Sequence, residues 1–175
     1  QNSIVSFDIE NIDPSQELII DPLVRLWGTY YGGAQEDELW YTFADATGNT
    51  YSSGVSLSIN NIATVGSHQT TFGGSTASTW GGDAVLVKFD PNGIRQWGTY
   101  YGGSGGDFAS LCAVDNSGSY VAMVGVTTTT LSGVIATPGS HQPSYAGTVS
   151  TNSGDAFLVV FDSNGNRQWG TYYGG

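Results

Sequence analysis

Apolar positions fall in short alternating runs, each broken by Gly, Asn, Asp or Ser. β-Branched and aromatic residues dominate the runs, which is the signature of half-buried strands. One set of four lies at 38–45, 50–57, 83–90 and 95–101, and a second at 108–114, 120–126, 156–161 and 167–173. No segment holds a capped helical period, so no helix is expected. In each set an Asp-x-x-Gly link joins the first run to the second (Asp45, Asp115) and the third to the fourth (Asp90, Asp162). In such a turn the Asp carboxylate accepts downstream amides and Gly supplies positive φ, so each link predicts a hairpin. The link from the second run to the third is long and carries Gly-Ser-His-Gln. Each set therefore reads as a four-stranded antiparallel meander. Strand alternation puts Trp97, Thr99 and Tyr101 on one face and Tyr100 on the other. Both faces are apolar, and both need cover.

The two sets are copies. Trp-Gly-Thr-Tyr-Tyr-Gly-Gly occurs at 27–33, 97–103 and 169–175, spaced by 70 and 72 residues. Residues 82–103 match 154–175 at 18 of 22 positions. Gly-Ser-His-Gln recurs at 66–69 and 139–142. A unit of about 70 residues with two apolar faces is stabilised by stacking on its neighbours, and radial stacking gives a β-propeller. The fold class is therefore all-β, with propeller blades as four-stranded antiparallel meanders in an incomplete ring. Residues 1–21 form an acidic lead-in or arm, 22–33 the outer strand of a preceding blade (strand at 22–31), 34–103 blade 1 and 104–175 blade 2. Propellers close with about 4–8 blades. Two blades imply either part of a longer array, the favoured reading, or several chains that assemble a ring.

Leu-Ile-Ile-Asp-Pro-Leu at 18–23, Gly-Thr-Tyr-Tyr-Gly-Gly, Asp-x-x-Gly-Asn-x-Tyr at 45–51 and Gly-Asp-Ala-x-Leu-Val-x-Phe-Asp at 82–90 together resemble the SBBP family of bacterial β-propeller repeats. The likeness covers about residues 18–175 and departs from the commoner Ser-Thr-Tyr-Leu-Gly-Gly in its Trp-Gly-Thr-Tyr-Tyr-Gly-Gly. It implies a propeller in a secreted or cell-surface bacterial protein, with a scaffold, adhesion or protein-binding role. It transfers no catalytic residue.

Composition narrows the partners. Fifteen Asp and Glu stand against four Lys and Arg, for a formal net charge of −11. So few cations cannot neutralise a run of phosphates, and nucleic acid is not an expected partner. Basic clusters for anionic membrane surfaces are absent, and no apolar run is long enough to predict membrane insertion as a helix. The expected partners are further blades of the same propeller or copies of the chain, and other surface proteins or glycans.

Candidate chemistry is sparse. Cys112, the one cysteine, sits in an apolar run and reads as a small buried hydrophobe. The Asp-x-x-Gly elements resemble the start of a Ca²⁺ loop, and Asp162-Ser-Asn-Gly-Asn does so best. They lack the ligand at the far end of such a loop. Asp37, Asp83, Asp107 and Asp155 precede strands and are expected to accept backbone amides at blade edges. A structural Ca²⁺ between blades is their secondary reading, and no other cofactor is expected. His68 and His141 hold equivalent loop positions in different units, which reads as loop-ordering hydrogen bonds rather than a metal or acid–base pair. The repeated Trp27, Trp97 and Trp169 read as packing between blades. Trp40 and Trp80 do not recur and are the candidate ligand contacts, with His68 and His141 beside them. No catalytic residue is assigned, and the chain is read as non-enzymatic. Its alternative function is carbohydrate binding through inter-blade loops at 67–80 and 137–153.

Overall fold

The computed structural model describes Ser15 and residues 26–74, 81–147 and 154–175. Trp80, most of the acidic lead-in and parts of both candidate loops lie outside the described residues. Eight strands are formed: β1 (Asp37–Ala44), β2 (Thr50–Ser56), β3 (Asp83–Phe89), β4 (Arg95–Tyr101), β5 (Asp107–Val114), β6 (Tyr120–Thr127), β7 (Asp155–Asp162) and β8 (Arg167–Tyr173). No helix occurs among the described residues. The strands make two four-stranded sheets, sheet A in the order β1-β2-β3-β4 and sheet B in the order β5-β6-β7-β8. Every pairing is antiparallel.

The hairpins form as their residues dictate. Asp162 Oδ1 accepts the amides of Asn164 and Asn166 at 2.9 and 3.0 Å. Asp45 and Asp90 hold the amides at the same two offsets. Gly48, Gly93, Gly118 and Gly165 take φ between 71 and 86°, a region that costs a side-chain-bearing residue strain.

The sheets share register as well as order. In sheet A, β3 places Ala84, Leu86 and Lys88 beside Tyr101, Thr99 and Trp97. In sheet B, β7 places Ala156, Leu158 and Val160 beside Tyr173, Thr171 and Trp169. The first hairpin of each sheet slips register by one residue, at Trp40 in β1 and at Ser110 in β5. Opposite each slip sits a glycine, because a Cβ at Gly54 or Gly125 would lie within 2 Å of a carbonyl oxygen.

One core joins the two sheets. It takes Tyr51, Leu86, Trp97 and Tyr101 from sheet A, and Cys112, Met123, Phe157, Val159 and Phe161 from sheet B. Strand β5 packs against β1, β2 and β3. Tyr100 points the other way, into a small cluster with Ile62, Val85, Tyr31 and Phe72, so the predicted division of faces holds. Cys112 is buried as expected. Its Sγ lies 3.4 Å from the Tyr51 carbonyl as donor, and desolvation pushes the thiol pKa up.

Residues 26–33 adopt no strand, although the pattern at 22–31 predicts one there. They lie along sheet A as β4 lies along sheet B, with Trp27 on Phe89 at 5.8 Å between centroids. The side-chain seats are filled. Among the described residues, no strand pairs with this segment.

Candidate interaction surface

The site grows from the repeated heptapeptide and what its Trp and second Tyr meet. On sheet A, Trp27 lies over Gly93, where a Cβ would come within 2.7 Å of the indole. The Tyr31 hydroxyl donates to the Ile62 carbonyl at 2.9 Å, and the ring stands edge-on to Phe89 at 6.1 Å and 84°. On sheet B, Trp97 lies over Gly165 in the same way. The Tyr101 hydroxyl donates to the Ile135 carbonyl, and its ring stands edge-on to Phe161 at 5.8 Å and 80°. Trp97 Nε1 also donates to the Ser163 carbonyl at 2.9 Å, an acceptor left free by the hairpin turn. A glycine makes room for each Tyr hydroxyl, Gly98 for Tyr31 and Gly170 for Tyr101. Two joints thus use one set of parts.

The third heptapeptide has the parts and no joint. Trp97 is 6% exposed and Tyr101 0%, whereas Trp169 is 42% exposed and Tyr173 69%. Ala156, Leu158, Val160, Ala122 and Val124 share that face and are partly open, while Ala84 and Leu86 in sheet A are buried. The outer face of sheet B therefore carries an apolar surface in a register that is fully covered one sheet earlier. Surfaces of this kind mark interaction sites.

The aspartates at strand starts hold the loops to the sheets. Asp107 accepts from the hydroxyls of Thr127 and Thr129 and from the Gly103 amide. Asp37 accepts from Ser56, Ser58 and the Gly33 amide in the same pattern. Asp83 Oδ2 accepts the Gly73 amide at 2.8 Å and Gln69 Nε2 at 2.8 Å. Asp155 Oδ2 does so with Ala146 and Gln142. The expectation that these carboxylates bond backbone amides is met at all four. Asp83 Oδ1, however, is buried with no partner among the described residues. Desolvation by burial pushes the Asp83 pKa up to about 7, against the pull of its hydrogen bonds. The same cause raises that of Asp107, which is also fully buried.

In Gly-Ser-His-Gln the glutamine, not the histidine, is the anchor. Gln69 donates to Asp83 and to the Thr71 carbonyl, and its Oε1 accepts the Gly102 amide at 3.0 Å. Gln142 repeats this with Asp155, Ser144 and Gly174. Its recurrence beside the histidine was the signal in the sequence. Gln69→Ala is expected to cost about 1–2 kcal/mol, because it strands the Gly102 amide and strips a donor from the buried Asp83 carboxyl. Urea unfolding against the parent chain measures this.

The other candidate residues are dispersed. His68 sits in the joint, 5.8 Å from the Tyr101 ring and 5.9 Å from Phe161. Burial, with Arg167 adding to it, lowers its pKa to about 4. His141 stacks on Tyr173 at 6.0 Å on the open face. The two belong to different sheets, as equivalence implied. Trp40 is the extra residue of the β1 slip. It is 48% exposed, stacked on Phe108 at 6.3 Å and 8°, and donates its Nε1 to Glu38. A cleft of about 310 Å³ at the joint is lined by Lys88, Gln96, Trp97 and Ser163. Its cation is engaged with the Ser163 carbonyl and lies over the Tyr51 ring. Among the described residues, no group of three or more His, Cys, Asp or Glu is placed to hold a metal ion.

No protein-family model matches the chain, and no curated protein matches it significantly.

Proposed function

We propose that the chain is a β-propeller repeat segment of a secreted or cell-surface bacterial protein, acting as a non-enzymatic scaffold or adhesion surface for other proteins. The sheets are its blades, and residues 26–33 complete the contact of a preceding blade. One observation carries this reading. The recurring residues go into turns, loop anchors and sheet-to-sheet joints, from Asp162 to Gln69 to Trp97. That distribution fits a surface-building module, and among the described residues no nucleophile, base and oxyanion donors stand together.

The alternative is carbohydrate binding, favoured by Trp40, a half-exposed indole that a sugar face can stack against. A glycan array probed at millimolar concentration separates the two. The scaffold reading expects no hit, and a hit lost in Trp40→Ala replaces it with the lectin reading. Hydrolase activity abolished by Asp107→Asn overturns the non-enzymatic assignment.

Structural Ca²⁺ is not needed on this reading, because the carboxylates of Asp162 in its turn and of Asp107 at its strand start accept protein donors. The melting midpoint is expected to stay unchanged on adding EDTA or Ca²⁺ in calorimetry. A rise with Ca²⁺ reinstates the metal.

A further inference from the structure

We propose that the outer face of sheet B is the docking surface for sheet A of a second copy of this chain, entered by exchange with that copy's residues 27–33. The inference deepens the scaffold reading, on which it rests in treating sheet faces as surfaces for further sheets.

The occupant follows from continuity with the joint already built. Trp97 and Tyr101 on β4 are closed by a turn glycine, a turn carbonyl and a loop carbonyl from sheet B: Gly165, Ser163 and Ile135. Trp169 and Tyr173 on β8 need the same three parts. Sheet A presents two of them, Gly93 and the Ile62 carbonyl, in working order. Both are taken up by Trp27 and Tyr31 of the same chain. The incoming β8 carries the identical heptapeptide, so exchange at these seats gains and loses the same contacts.

Two differences favour the incoming sheet. Among the described residues, 27–33 pair with no strand, and Leu26 and Tyr30 stand in solvent. Strand β8 arrives paired to β7 and brings Ala156, Leu158 and Val160 to cover sheet A over a wider area. Opposing this, the tethered heptapeptide holds its seat at a high effective concentration. Association is therefore concentration-dependent and slowed by opening of 27–33.

The contact is head-to-tail, so it propagates until it closes. The described residues of each copy supply two sheets, so rings of about 4–8 sheets built from these alone take about two to four copies.

The test is the solution mass of the full chain by light scattering and sedimentation over a wide concentration range. The parent chain is expected to pass from 18.3 kDa toward about two to four times that mass. Trp169→Ala with Tyr173→Ala alters exposed side chains and leaves the internal joint intact. It is expected to raise the half-association concentration at least about tenfold, with an unchanged β circular dichroism spectrum at low concentration. Trp27→Ala loosens the resident segment and is expected to shift association the opposite way. A parent chain that stays at 18.3 kDa throughout overturns the proposal, as does a double variant that associates like the parent. A monomer that binds no glycan overturns it while leaving the scaffold reading in place.

Discussion

Trp97→Ala is expected to destabilise the chain by about 3–5 kcal/mol, and Trp169→Ala, measured where the chain is monomeric, by about 1 kcal/mol or less. The two residues share the same seven-residue context. Trp97 packs on Gly165 and Tyr51, donates its indole N–H to the Ser163 carbonyl and lies in the joint core. Removing it leaves a cavity that backbone on both sides cannot collapse into, and it takes from the Ser163 carbonyl its shorter hydrogen bond, leaving only that from Lys88. Trp169 has solvent over much of its surface. At about 2–4 °C per kcal/mol for a chain of this length, Trp97→Ala lowers the melting midpoint by roughly 6–20 °C, read by calorimetry. Equal losses at both positions would sink the assignment of the joint as the seat of stability.

Stability is also expected to fall as pH rises from about 4 to about 7, the window between the ordinary Asp pKa and that of folded Asp83. Burial keeps Asp83 protonated in the folded chain through this range, while the unfolded chain releases the proton. The unfolded state then binds fewer protons, and linkage removes up to about 1.4 kcal/mol of stability per pH unit. Asp107 faces Asp83 and adds to its cost of ionising, and burial raises Asp107 as well. No cation is among the groups that shift Asp83; Gln69, Gly73 and Gly74 offer neutral donors.

Turn carboxylates act in the opposite direction and lower down. Desolvation is the largest single influence on Asp45 and raises it, but the hydrogen bonds from Asn49 and Thr47 together outweigh it and hold the carboxyl at about 2. Bonds from Ser117 and the Tyr120 amide lower Asp115. Asp162 is lowered by Asn166 and Asn164 against its own desolvation. Their contribution disappears as pH falls below about 4 toward their folded values. Maximum stability is therefore expected on the acid side, near pH 4–5, where the charge of −11 at neutrality is also partly titrated. Asp83→Asn keeps an oxygen for Gln69 and Gly73. It is expected to be neutral at pH 4, stabilising by a few kcal/mol at pH 7, and to flatten the slope between them. Denaturation midpoints over pH 3–8 decide it, and an unchanged slope in Asp83→Asn assigns the dependence elsewhere.

Much of this fold is legible in the sequence. The eight strand positions, the four Asp-x-x-Gly turns and the opposite facing of Tyr100 and Tyr101 follow from period-two alternation and turn chemistry, which act over a few residues. The strand-start aspartates were legible as amide acceptors. Less was legible of the loop contacts. Gln69 and Gln142 recur as clearly as His68 and His141, but a neutral side chain carries no local mark of the partners that its loop brings to it from the sheet. The slip that turns Trp40 outward has no local marker, because it depends on Gly54 in the paired strand.

The sequence by itself determined where the chain extends, where it turns and which side chains share a face, since those depend on neighbours within a few residues. It also determined that the heptapeptides are interchangeable in chemistry. Only the tertiary structure decided that they differ in state: one resting on sheet A without a strand partner, one closed in the joint, one open on the outer face of sheet B. The reason is physical. Burial depends on what lies about 10 Å away across a sheet face, and identical residues have no way to encode which of them has a neighbour there.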